Sequence, residues 1–330
     1  MNKDLKQLTT PDGTTKYLFF GGKGGVGKTT LATATAVWFA DHNYKTTIVS
    51  TDPTVSLSAM FGQEIGGEAR IPIHHVPNLC GLNINPNDAK GVFQSRLNSV
   101  MGQMTGTFGG DVISTPCAEE MATFDQFVTF LEEPDSDVIV FDTAPTGKSL
   151  RELAMPFDWA SFLQKQIQEG QKLAELMDMD ENSFEDLERD KHRYENALNV
   201  MRDRVSTIFN LVLLPERLPI EETHSAIQGL DRLGISVQAL VINQCILPEV
   251  IEGNRFLAAR ASLQARYRDE IKSRFGSLVM SHLPLLDRDV SELATLRTIG
   301  EMLYGKEREN DSVSRGEGEL TAERGRGWAQ

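Results

Sequence analysis

The segment FFGGKGGVGKTT at 19–30 constrains the fold of this chain more than any other feature. Before it, YLFF at 17–20 is a short apolar run, and after it TLATATAVWFADH reads as a helix rich in Ala and Leu. The order is therefore strand, glycine loop, helix. KTTIVSTDP then forms a β-branched run that proline stops at Asp52-Pro53. LCGLNINPN and SDVIVFDTAPTG repeat the pattern of an apolar run followed by a loop opening with Asx, Pro or Gly, as do TIFNLVLLPE and VQALVINQCILPE further on. Strands alternating with helical stretches predict an α/β fold, with a mostly parallel sheet and helices on both faces.

The strand signals vanish between Arg151 and about Arg204, where apolar positions alternate with dense charge of both signs, as in amphipathic helices. The expected organisation is one α/β domain built from 1–150 and 205–305, a helical insertion at 151–204, and a disordered tail at 306–330 with little to bury. A second helical region is expected at 250–276, ahead of a last apolar run, SLVMSHLPLL. At 330 residues and 40% hydrophobic content, such a domain can bury a large core. The net charge of -14, with no clustered Lys and Arg, argues against sequence-independent binding to nucleic acid. Neither a leader-like N-terminus nor an apolar run of membrane-spanning length is present, so a cytoplasmic protein is expected. The three cysteines, Cys80, Cys117 and Cys245, are too few and too scattered for a disulfide framework.

Residues Gly22 to Thr29 fit G-x-x-x-x-G-K-T in the strand-to-helix context that gives this pattern its meaning, a phosphate-binding loop. Gly22, Gly24, Gly25, Val26 and Gly27 can turn successive backbone N–H groups inward around phosphate oxygens, and the helix beginning near Lys28 adds the positive end of its dipole. Lys28 supplies a point charge, and the Thr29 hydroxyl is placed to ligate Mg²⁺. Hydrolysis also needs a carboxylate near the metal's water shell and a group that orients the attacking water. Asp142, closing VIVFD, suits the first role, and Asp52, closing TTIVSTD, suits the second. Each could instead cap an Asx turn after its strand.

KGGVGKTT, with its additional Lys23, resembles the deviant phosphate loop of the dimeric P-loop ATPases that include MinD, nitrogenase iron protein, the arsenite-pump ATPase ArsA and the tail-anchored-protein targeting ATPase. In that class the early lysine reaches across a dimer interface to the partner's nucleotide, so the resemblance implies a homodimer that uses ATP. DTAPTGKSLREL at 142–153 is similar to the signature shared by the arsenite-pump and targeting ATPases, and STDPTVS resembles their first switch. VINQCILPE is similar to the segment whose Asn lies against adenine, and LLPERLPIEET and LPLLDRDVSELATL extend the likeness, so that it covers about 15–303. The resemblance implies that Lys23, Lys28, Thr29 and Thr30 bind phosphate and metal. It implies further that Asp52 orients water, Asp142 acts through the Mg²⁺ water shell and Asn243 contacts the base. Thr54, Val55 and Lys148 depart from the usual Ala, His and His of the switches, the segments that couple hydrolysis to a partner.

Two cargoes fit this family: arsenite or antimonite passed to a membrane efflux partner, or a tail-anchor helix carried by a targeting chaperone. Trivalent arsenic prefers thiolates. Cys117, in STPCAEEMATFDQF, resembles the cysteine-bearing segment of the arsenite pump, and in a two-fold dimer two copies could meet at the interface. The pump's additional metalloid cysteine has no counterpart in LAMPFDWASFLQKQ, and Cys117 could equally be a buried apolar residue. Cys80 and Cys245 read as core residues, and without a Cys-x-x-Cys pair there are no ligands for an intersubunit zinc. Met155, Phe157, Trp159, Phe162, Met177 and Met179 could line a groove for an apolar helix or pack the insertion onto the domain. The metalloid reading is favoured, which places the protein in the cytoplasm and, through its partner, at the inner face of the membrane.

Overall fold

The computed structural model describes residues 4–51, 57–67, 69–84, 117–132, 134–143, 185–290 and 292–305, with helical turns within 161–168. Asp52, Thr54, Val55 and Lys148, the side chain of Cys117, the six Met and aromatic residues named for the insertion, and the tail from 306 lie outside the described residues.

Strands β1 Lys16–Gly22, β2 Thr46–Ser50, β3 Ile71–Pro72, β4 Leu79–Asn83, β5 Val138–Asp142, β6 Thr207–Leu213, β7 Val237–Cys245 and β8 Val279–Pro284 form one sheet. Its eight strands run in the order β3-β4-β2-β5-β1-β6-β7-β8. All neighbours are parallel except the short edge strand β3, which pairs antiparallel with β4. This is the expected P-loop α/β architecture. Helices α1 Leu5–Thr9, α2 Lys28–Asp41, α3 Leu57–Phe61, α4 Cys117–Glu132, α5 Glu185–Arg202, α6 Arg217–Arg232, α7 Arg255–Phe275 and α8 Leu293–Tyr304 cover it. Among the described residues, no helix is long and apolar enough to cross a membrane.

The central strands read as continuous apolar runs because both faces are buried. In β1, Phe19 enters one core and Phe20 the other, since successive side chains of a strand point to opposite faces. Phe19 stacks on Phe209 at 4.4 Å and Phe141 at 4.7 Å, and the ring of Phe127 on α4 lies 4.3 Å from that of Phe141. On the opposite face, α2 is buried along its full middle, Leu31 to Ala40, and α8 closes over it, with the Tyr304 and Thr35 hydroxyls 2.9 Å apart. A helix apolar all round belongs inside a domain, as the Ala-rich composition of α2 requires.

Within the expected insertion, Leu163 and Ile167 are buried in the same core as Phe19. So are Tyr194, Ala197, Leu198 and Met201 of α5. Helix α5 is tied to α4 by a buried polar cluster. Arg193 donates Nη1 to the Asp125 carboxylate, Nε to Glu132 Oε2 at 2.6 Å, and Nη2 to Thr129 Oγ1 at 3.2 Å. Tyr194 Oη donates to Asp125 Oδ1 at 2.7 Å. Burial first, and the Asp125 carboxylate second, hold the Tyr194 phenol well above its ordinary pKa, so it remains a donor.

Candidate functional site

Strand β1 lies where the sheet order reverses, because the chain leaves it toward β2 on one side and later returns as β6 on the other. Crevices at the carboxyl ends of strands around such a switch point are where open α/β sheets bind ligands. The glycine loop occupies this crevice. Two of its glycines have no substitute. Gly22 has φ of +146° and a side chain there would meet the Val212 carbonyl oxygen at 2.4 Å, while Gly27 has φ of +97° and would meet Asn243 Nδ2 at 2.5 Å.

Lys28 opens α2 and is 5% exposed, with its Nζ donating to the Lys23 carbonyl at 3.3 Å. The ammonium thus folds back over the loop, where a phosphate cradled by backbone N–H groups would meet it. Lys23 diverges from it: its Nζ pairs with Glu222 Oε1 of α6 at 3.0 Å.

Beneath the loop, register places three strand ends level. Phe20 of β1 and Ser50 of β2 are both paired with Asp142 of β5. Asp142 is fully buried, and its Oδ2 accepts from Thr29 Oγ1 at 2.8 Å and from Ser50 Oγ at 3.3 Å. Thr51 N donates to the Asp142 carbonyl at 3.0 Å, and Thr143 Oγ1 to the Phe20 carbonyl at 2.9 Å, which locks these ends together. A carboxylate with two hydroxyls at the foot of a phosphate loop is an all-oxygen donor set of the kind a hard divalent cation prefers, so these residues fit the Mg²⁺ expected from the sequence.

Asn243 approaches from the end of β7. Its Nδ2 donates to the Val26 carbonyl at 2.9 Å, and its Oδ1 accepts from Gln244 N at 2.9 Å. The residue singled out for the base therefore also ties the glycine loop to β7. Gly27→Ala forces its Cβ into this carboxamide and a left-handed backbone onto a residue that resists it, strain of about 1–3 kcal/mol. We expect ATP affinity, measured by calorimetric titration, to fall about tenfold or more and the melting temperature to drop by about a few degrees; native affinity would show that the loop repacks freely.

The structure thus brings Lys23, Lys28, Thr29, Asp142 and Asn243 to one crevice, whereas Asp52 lies outside the described residues. Sequence reasoning missed Ser50 and Glu222. The only signal for Ser50 was a hydroxyl residue just before the Thr51-Asp52 strand end, and Glu222 was one acid among several in LPIEET. Of the cysteines, Cys80 is half-buried on β4 and Cys245 is buried at the end of β7. Burial raises the Cys245 thiol pKa against the pull of Arg268, which keeps it protonated and a poor thiolate ligand.

The family model described as "Anion-transporting ATPase" matches residues 15–305. The chain belongs to the anion-transporting ATPase family. Among relatives of this ATPase, a putative arsenical pump-driving ATPase of Halobacterium salinarum is 36% identical over 307 residues, covering 92% of this chain and 46% of that protein. The chain therefore spans about half the length of that relative. The "ATPase ASNA1 homolog 2" of Paramecium tetraurelia is 32% identical, covering 87% of this chain and 93% of its own. The "ATPase GET3B" of Arabidopsis thaliana is 30% identical, covering 88% and 79%. Membership of the family supports ATP hydrolysis by this chain, and its relatives carry both kinds of name.

Proposed function

We propose that this ATPase works as an ATP-hydrolysing homodimer that energises arsenite or antimonite efflux through a membrane partner. The observation that carries the hydrolytic reading is the buried Asp142 bonded to Thr29 and Ser50 directly under the glycine loop. In this reading the backbone N–H groups of Gly24 to Thr30 cradle the β- and γ-phosphates, and Lys28 neutralises charge on them. Thr29 would hold Mg²⁺ and Asp142 would act on its water shell; such an ion would offset charge that develops on the phosphate oxygens. Asp52 orients the attacking water, Asn243 contacts the base, and Lys23 reaches the partner subunit's nucleotide, which closes the dimer.

The metalloid reading rests on Cys117 and on its place in the chain. Cys117 opens α4, and the next strand in the chain, β5, ends at Asp142. In this reading an event at the start of α4 is passed along the helix toward the carboxylate under the phosphates. If metalloid favours the closed dimer, linkage requires ATP to tighten metalloid binding by the same factor. The likeness to the ASNA1 and GET3B proteins favours a second reading, a targeting chaperone for tail-anchor helices. Steady-state ATP hydrolysis with and without arsenite, in the native protein and in Cys117→Ser, separates the two. Arsenite is expected to stimulate the native protein and not the variant. An unchanged rate in both would remove the metalloid reading and make binding of a tail-anchor peptide the next experiment.

A further inference from the structure

The glycine loop contains two lysines, and the structure holds them differently. Lys28 turns inward to the Lys23 carbonyl, whereas the Lys23 ammonium is drawn outward to Glu222, 3.0 Å away on α6. Helix α6 and its N-cap residue Glu216 carry three acids toward cations, and two of them serve the packing of the helix. Glu216 accepts from Arg260 at 2.7 Å and Glu221 from Arg274 at 2.9 Å, both arginines lying on α7. The third, Glu222, crosses to the loop instead. Helix α6 is also seated by Pro219, Ile220, Thr223, Ala226 and Leu230, all buried, so its position does not depend on the bond to Lys23.

We propose that Glu222 is a positioning residue: its carboxylate holds the Lys23 ammonium against α6, away from the phosphates, until nucleotide displaces it. The inference rests on the reading above, in which Lys23 acts on phosphate. The side chains of Lys23 and Glu222 are 38% and 41% exposed, so the pair is screened and weak, and a bound triphosphate can outcompete it. Such a contact restrains without trapping. It keeps a second positive charge off the open loop when there is no phosphate to neutralise it, and it sets how much ATP is required before Lys23 is released. Each ATP that engages Lys23 must break this pair, so the apparent affinity for ATP carries its cost.

The test is steady-state hydrolysis against ATP concentration for the native protein, Glu222→Gln, Glu222→Asp, Lys23→Ala and Lys23→Ala/Glu222→Gln. Glutamine keeps the shape and removes the charge, so folding is retained. Glu222→Gln is expected to lower the half-saturating ATP concentration about two- to fivefold, the range open to an exposed pair, and Glu222→Asp to lie between it and native. In the Lys23→Ala background the same change is expected to have no effect. A drop that persists in that background would mean that Glu222 merely repels phosphate at a distance, which overturns the positioning role. Native half-saturation in Glu222→Gln, alongside a large loss of turnover in Lys23→Ala, overturns the restraint but leaves the reading of Lys23 standing. Native kinetics in Lys23→Ala remove that reading and the restraint with it.

Discussion

Lys28→Ala is expected to lower the turnover number for ATP hydrolysis by about 10²–10³-fold, the loss that follows removal of one preorganised charge or donor from a developing anion. The side chain is 5% exposed at the first turn of α2, and its ammonium rests 3.3 Å from the Lys23 carbonyl over the loop. It is therefore in position before substrate arrives, and little reorganisation is required when charge builds on the γ-phosphate. Arginine does not replace it, because the slot takes a compact ammonium and the planar guanidinium is wider. Phosphate release measured at saturating ATP, with a thermal melt to confirm the fold, checks the result. A loss smaller than about tenfold would mean that the loop's backbone N–H groups and the bound cation carry the charge without Lys28.

Arg193→Ala is expected to have the largest effect on stability, about 3–5 kcal/mol, the usual cost of breaking one side of a buried ion pair. Arg193 and Asp125 are 9% and 4% exposed, so truncation leaves the Asp125 and Glu132 carboxylates without the guanidinium that joined them. Tyr194 still donates to Asp125, but a neutral hydroxyl does not replace the lost guanidinium beside a buried negative charge. The melting temperature should fall by several degrees. Arg193→Lys should recover only part of the loss, since one ammonium cannot address Asp125, Glu132 and Thr129 at once. A melt like that of the native protein would show that the α4–α5 contact is held by its apolar side chains alone. Helix α4 also runs from Cys117 toward the strand ending at Asp142, so loosening it should weaken any arsenite response more than basal hydrolysis.

Much of this was readable in the chain because the signals are local. A strand, a glycine loop and an Ala-rich helix occupy consecutive residues from Tyr17 to Asp41, so chain neighbours alone dictate the loop and the place of Lys28 at the start of the helix. The strands ending at Asp142 and Cys245 declared themselves in the same way, as β-branched and apolar runs cut off by polar loops. Short elements such as β3 and α3 did not, because two to five residues carry too little periodicity to read.

The assembled site is another matter. Thr29 meets Asp142 across 113 residues of sequence, and Asn243 meets the Val26 carbonyl across 217. Lys23 finds Glu222 only because β6 lies beside β1 and delivers α6 to the loop. The sequence by itself determined where the glycine loop, its lysines and the strand endings lie, since loop conformation, charge and strand endings depend on adjacent residues. The tertiary structure decided which of them meet, because strand order and register are set by packing over the whole sheet, and no run of neighbouring residues contains that information.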